Sequence, residues 1–273
     1  NDLMLVSKSW YHAACSTAKF WNRTHLNFPL SMDEQSLEDD LAKAAIRVRR
    51  ASQLPLSFSL EVEVEGSLHD KIADFIKPLT QRISHFSLVV PGDFEAVFDL
   101  HLLDELFPYQ GSASGEHVKW DALESLKLDV LTRSRPDFLD VIFCTTVNRF
   151  PRLQHLTLDT PLHAIMSPSP TFENLTSLTI DDMASYSTSV CLSILEQCSN
   201  LQRCRLRPTR SSSDAEGEPP TIPNVRLPYL TDLTISNSTG CERTACRILR
   251  QLETPSLRSF VYAIEDLEMS TSD

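Results

Sequence analysis

One short phrase constrains this chain more than any other feature: an apolar residue, two variable residues, an apolar residue, one variable residue and an apolar residue. It occurs as Leu123/Leu126/Leu128, Leu153/Leu156/Leu158, Leu175/Leu178/Ile180, Leu201/Cys204/Leu206, Leu230/Leu233/Ile235 and Leu257/Phe260/Tyr262, with Ile83/Phe86/Leu88 as a seventh copy. Successive starts lie 40, 30, 22, 26, 29 and 27 residues apart. That period is too regular for chance and too long for hairpins, so it describes a stack of similar units. Side chains alternate across a strand, so the phrase sends its apolar residues inward and the residues between them outward.

Between the phrases lie stretches with helical spacing: Phe138, Ile142, Phe143 and Val147; Cys191, Leu192, Ile194, Leu195 and Cys198; Ala245, Ile248, Leu249 and Leu252. Each unit is then a strand followed by a returning helix. The expected fold is α/β, a leucine-rich-repeat-like solenoid in which a curved parallel sheet carries helices on its outer side. The 22-residue step from Leu153 to Leu175 contains Pro161, Pro168 and Pro170, which leaves room for a loop or one helical turn.

Upstream, Leu56, Phe58, Leu60, Val62 and Val64 alternate strictly and predict a strand. Residues 68–80 and 94–107 read as helices, the first with a stripe of Leu68, Ile72, Phe75, Ile76 and Leu79. Another helix begins after Ser31 or near Ser36 and ends at Arg47, Arg49 and Arg50, which complement its negative end. The array is expected over 55–263, with insertions near 109–117 and 208–224. A connecting strand and helix over 27–54 start the solenoid, and 264–273 form an acidic tail.

The seven cysteines show no CxxC pair and read as buried free thiols of a reducing compartment, cytoplasm or nucleus. A net charge of −12 with no long basic run argues against nucleic acid, and no apolar run approaches membrane-spanning length. No catalytic residues, metal ligands or cofactor are expected. Asp39/Asp40 and Asp181/Asp182 are neighbours in sequence and make no acid/base dyad by spacing. The histidines never fall at HxxxH, and the GSASG stretch at 111–115 has Ala113 where a nucleophile would stand.

The outward strand positions are the candidate binding face. Glu61, Glu63 and Glu65 share one side of a strand, about 7 Å apart, and either attract a basic peptide or form a solvated face. His155 and Asp159, then Asp181, then Arg203, Arg205 and Arg207 follow on later units. Three arginines on one rung either bind an acidic or phosphorylated segment or are neutralised by the neighbouring aspartates.

The first 26 residues do not fit the repeat. In LVSKSWYHAACSTAKFW, Val6, Ser7, Lys8 and Trp10 match a Val-Cys-basic-x-Trp stretch, with Ser in place of Cys. Ser16, Thr17, Phe20 and Trp21 match a Ser-Thr-Pro turn with a Leu-Trp ending, with Ala18 and Phe20 as departures. The segment resembles the C-terminal half of an F-box, and with the array it looks like the fungal family of F-box proteins. The resemblance implies a short all-α partial F-box over 1–26. It also implies the substrate-recognition role in an SCF-type (cullin-RING) E3 ubiquitin ligase, with a Skp-type adaptor and cullin scaffold as partners beside an unknown target protein. Leu3, Leu5, Val6, Lys8, Trp10 and Trp21 would carry the adaptor contact. The family's first helix, opening Leu-Pro-x-Glu, is not among these residues, which fits either a chain that begins upstream of Asn1 or a decayed domain. Read from its residues alone, the Trp-rich segment either presents an apolar face to a partner or caps the open end of the array. The alternative function is accordingly a ligase-independent protein-binding scaffold whose degenerate F-box is an end cap.

Overall fold

The computed structural model describes residues 8–63, 68–90, 101–107, 118–130, 150–159, 172–181, 188–208, 224–238 and 242–265. The fold is α/β. Its strands are β1 (Arg23–Phe28), β2 (Leu56–Val62), β3 (Ile83–Val90), β4 (Ser125–Val130), β5 (His155–Asp159), β6 (Ser177–Ile180), β7 (Arg203–Leu206), β8 (Val225–Arg226), β9 (Asp232–Ser238), β10 (Leu252–Glu253) and β11 (Ser259–Glu265). Nine of them form one sheet in the order β1-β2-β3-β4-β5-β6-β7-β9-β11, every neighbouring pair parallel. The helices are α1 (Lys8–Ser16), α2 (Glu34–Arg50), α3 (Leu68–Ile76), α4 (His101–Leu106), α5 (Thr188–Gln197) and α6 (Glu242–Arg250). Among the described residues no helix is long and apolar enough to cross a membrane.

The phrase sets the register. Phe86, Leu126, Leu156, Leu178, Cys204, Leu233 and Phe260 stand in one row, and Leu88, Leu128, Leu158, Ile180, Leu206, Ile235 and Tyr262 in the next. All are buried in the core except Phe260 and Tyr262 on the last strand. Ile83 opens β3, but from Leu123 onward the first apolar residue of each phrase lies before its strand, in a turn. There Leu123 N–H donates to Trp120, Leu153 to Phe150, Leu175 to Phe172, Leu201 to Cys198 and Leu230 to Leu227, at 3.1 to 3.3 Å. Those five acceptor residues are all buried, so five of the units have a fourth apolar position three residues ahead of the phrase, whereas Thr254 takes that place before Leu257.

The largest of these anchors centre the core. Trp120 stacks on Phe107 with ring centroids 5.3 Å apart, lies 4.9 Å from Phe86, and donates its Nε1–H to the Leu106 carbonyl at 3.3 Å. Phe150 reaches the same group through Phe107, 6.0 Å away. Because α4 supplies Leu106, Trp120 joins a helix and two rungs of the sheet.

Several expectations change. The first strand begins at Arg23, inside the segment read as helical, because Thr24, Leu26 and Phe28 alternate inward and pair with β2. α2 starts at Glu34 behind an Asp33 cap, whose carboxylate accepts the Ser36 N–H at 2.8 Å. The stripe on α3 meets the core as expected, and the described part of the short connection before β6 contains a 3-10 turn, Phe172–Asn174, residues 160–171 lying outside the described residues. α6 stops at Arg250, so Leu252 belongs not to a helix but to β10, which pairs with β8. The last strand runs to Glu265, past the boundary at 263, because its pairing with β9 continues to Ser238. The helix around Phe138–Val147 and the insertion at 109–117 lie outside the described residues, as do 209–223 and 266–273.

The thiols are not alike. Cys191, Cys198 and Cys204 are buried, and burial holds the Cys198 thiol far above its ordinary range and pushes Cys204 up to about 12. Cys15 is half-buried and Cys246 is exposed, against the expectation that the cysteines are buried throughout. Thiolates react and buried thiols do not, so brief alkylation of the native protein modifies Cys246 ahead of Cys191, Cys198 and Cys204, as peptide mass mapping will show. Trp120→Ala removes the aromatic centre and costs about 3–5 kcal/mol of stability, read as a lower urea midpoint.

Candidate functional site

The outward face of the sheet is polar and ordered in bands. Pairing places Arg23, His85, His155 and Arg203 in the row at the strand beginnings, alternating with Ser57, Ser125 and Ser177. Bases therefore recur on every second strand, roughly 10 Å apart at the usual interstrand spacing. Near the strand ends stand Glu61, Asp129 and Asp159, with Asp181 beside them through its N–H bond of 2.9 Å to Leu158. The first row goes on to Asp232 on β9 and Ser259 on β11, so basic residues mark one end of strands β1–β7 while carboxylates gather at the other.

Contacts cross between the bands. Lys127 Nζ lies 3.7 Å from Asp129 Oδ2 on its own strand, and Arg205 Nε lies 3.4 Å from Asp181 Oδ1 on the neighbouring strand. The arginine rung is therefore divided. Arg205 leans on an aspartate and Arg207 is half-buried, while Arg203 stands exposed in the first row.

Below the first row, at the entry to β4–β9, runs a groove of about 630 Å³ lined by Glu124, Pro151, Arg152, Gln154, Asn174, Thr176, Asn200, Gln202 and Tyr229. Its wall is built by the repeat itself. The Gln154 carbonyl accepts the N–H groups of Thr176 and Ser177, Thr176 those of Gln202 and Arg203, and Gln202 those of Thr231 and Asp232, all at 2.8 to 3.0 Å. Side chains brace the same rim: Asn174 Nδ2 donates to Pro151 at 3.4 Å, Asn200 Nδ2 to Glu173 at 2.8 Å, and Ser256 Oγ to Pro228 at 2.6 Å. This bracing was not anticipated, although an Asn before the phrase leucine at 174 and 200 is visible in the sequence. The groove offers hydrogen-bonding amides, hydroxyls and one exposed aromatic ring, Tyr229, and suits a polar segment of another chain better than a reacting small molecule.

His155 is half-buried at the junction of face and groove. Burial lowers its pKa below the ordinary 6.5, the charges of Arg203 and His85 lower it further, and Glu124 partly opposes them. Neutral imidazole is favoured in the fold. The stability this gives is fully present above the ordinary pKa and is lost as pH falls through the lowered one.

Of the other residues singled out, Leu3, Leu5, Val6 and Glu65 lie outside the described residues. Lys8 opens α1. Trp10 is 60% exposed, and Phe20, a residue matched to the motif but not assigned to the adaptor contact, is 70% exposed. Trp21 is buried: its Nε1–H donates to the Ala14 carbonyl at 2.7 Å, and the Arg50 guanidinium lies 4.5 Å from the ring centre. Glu61 keeps its place on the open face. Glu63 follows the end of β2 and its carboxylate accepts the Leu30 N–H at 3.3 Å, so the glutamate triad is not one uniform row.

One Ser/His contact was not foreseen. Ser84 Oγ is 2.9 Å from His85 Nδ1 and 3.2 Å from the Leu56 carbonyl, at the point where the β2–β3 register shifts. The irregularity turns Ser84 toward the core side, where it is buried and serves the freed carbonyl. No group of three or more His, Cys, Asp or Glu able to hold a metal occurs among the described residues.

Because two positive charges and one negative charge act on His155 in opposite senses, Arg203→Ala raises its pKa and Glu124→Gln lowers it further. Imidazole titration by NMR reads both; no movement in either variant would show that burial alone sets the value.

No protein-family model matches this chain, and neither a curated protein nor a solved structure does.

Proposed function

We propose that this chain is the substrate-recognition subunit of an SCF-type, cullin-RING ubiquitin ligase. In this reading the sheet and its helices are a leucine-rich-repeat-like solenoid whose open face and rim hold a target protein. The F-box-like segment before β1 docks on a Skp-type adaptor. The observation that carries the reading is the division of labour at that end of the molecule. Trp21 is buried under Arg50 at the end of α2, while Trp10 on α1 and Phe20 in the 3-10 turn that follows it stand exposed. Large apolar rings held outward on a rigid base are what a docking surface needs. A non-catalytic receptor positions its target for chemistry performed by other subunits, which asks of this chain only a stable face at a fixed distance.

The alternative is a ligase-independent scaffold with the same segment as an end cap. The burial of Trp21 favours it, since that ring closes the core rather than facing a partner. The two readings part at Trp10 and Phe20.

Co-expressed with a Skp-type adaptor, the longest natural chain containing these residues co-purifies with it. The double substitution Trp10→Ala, Phe20→Ala weakens capture by roughly 30-fold or more, the loss of about 2 kcal/mol expected for a central aromatic contact. Thermal stability stays unchanged because both rings are exposed. Capture that survives the substitution, or never occurs, leaves the scaffold reading standing.

A further inference from the structure

β5, β6 and β7 differ in the size of what they turn outward. β6 presents only Ser177 and Thr179, while at the same levels β5 presents His155 and Thr157 and β7 presents Arg203 and Arg205. Pairing puts His155, Ser177 and Arg203 in one row and Thr157, Thr179 and Arg205 in the next. Short side chains between longer ones leave a trough along β6, roughly 10 Å across between the flanking strands. Its lower end opens at Gln154, Thr176 and Gln202, which precede the residues of the first row and line the groove.

The trough is lined with donors. Among the described residues, the side chains of Ser177, Thr179 and Arg203 make no hydrogen bond or ion pair. Arg203 acts electrostatically on His155 across Ser177, so guanidinium and imidazole border the same space. The other cations nearby are occupied: Arg205 meets Asp181 through Nε at 3.4 Å, and Lys127 on β4 lies 3.7 Å from Asp129.

Charge selects among anions. On the far side of Arg203 stands Asp232 of β9, whose carboxylate accepts the Thr231 hydroxyl at 2.7 Å. Burial, Arg203 and His85 together keep His155 neutral against the pull of Glu124. No surplus of positive charge is left to match a dianion. What remains is one guanidinium without an ion pair beside two hydroxyls, which suits a single planar carboxylate.

We propose that this trough binds the carboxylate of an aspartate or glutamate on an extended segment of the target, with Arg203 as its fork and Ser177, Thr179 and His155 as further donors. The proposal rests on the reading that the open face and rim hold a target protein. Residues next to the acidic one lie in the groove, where Gln154 and Gln202 offer amides that both donate and accept, as a peptide backbone requires.

The probes are acetylated, amidated pentapeptides, Gly-Ser-Glu-Ser-Gly and its Gln and phosphoserine counterparts. They are titrated into the full 273-residue chain, with the His155 ring resonances and the Arg203 Nε–H signal as NMR readouts. Two or three charge-assisted hydrogen bonds put the Glu peptide at a Kd on the order of 1 mM. The Gln peptide binds at least about tenfold more weakly, the loss of one such bond. Arg203→Gln causes the same loss without changing the melting temperature, since the side chain is exposed. Arg258→Gln removes an equal charge outside the trough and changes affinity by less than about twofold. No saturable shift up to about 10 mM, equal binding of the Glu and Gln peptides, or equal effects of the two arginine substitutions would each overturn the proposal. So would a phosphoserine peptide more than about tenfold tighter than the Glu peptide, which would assign the trough to a dianion. No adaptor is present in this experiment, so its outcome is independent of whether Trp10 and Phe20 dock on one.

Discussion

Everything in this molecule depends on a carbonyl that accepts two hydrogen bonds. From Glu124 to Thr231, the residue after each phrase leucine presents its carbonyl to two successive N–H groups of the next unit. The double acceptance fixes where each strand begins relative to the one before it. A slip of one residue would turn every inward side chain outward, so the apolar rows exist only because the entry points are locked. Thr176 and Thr231 add their hydroxyls to the same carbonyls at 3.2 and 3.1 Å, so the lock is made of side chains as well as backbone. Where the lock differs, at β2 and β3, the register shifts and Ser84 is turned inward.

The same lock explains why the outward face is orderly although its residues follow no repeated pattern. Strict register brings His85, His155 and Arg203 into one line across alternate strands and collects carboxylates at the other end of the strands. Each charge is then close enough to its neighbours to matter. Arg203 and His85 act on His155, and Arg205 acts on Asp181. The face combines a fixed geometry with an uneven charge distribution that belongs to the whole array rather than to any single side chain.

Much of the sheet was legible in the sequence because the phrase encodes both the inward rows and the alternation. What escaped it has identifiable physical causes. The anchors Trp120, Phe150, Phe172, Cys198 and Leu227 share a position but not a size or chemistry, so they do not read as a repeat until the turn they close is seen. β1 was hidden because Thr24 stands where later units carry a large apolar residue, and because a helical segment runs directly into it. β8 and β10 are two residues each, too short for any periodicity to register. The two tryptophans at 10 and 21 are equivalent in composition. What separates them is Arg50, which arrives from the far end of α2 and covers only one of the rings.

The first and last described strands of the sheet differ in what they present. β1 packs against α2, and in the helical segment before it Trp21 is buried while Trp10 and Phe20 are exposed. On β11 the inward-row residues Phe260, Tyr262 and Ile264 are exposed. A backbone edge recognises another strand through main-chain bonds, which carry little sequence information, whereas a helical unit with exposed rings recognises a shaped pocket. The two ends therefore differ in kind as well as in position. The exposed rings before β1, the apolar outer strand β11 and the banded face between them are therefore surfaces of three different kinds.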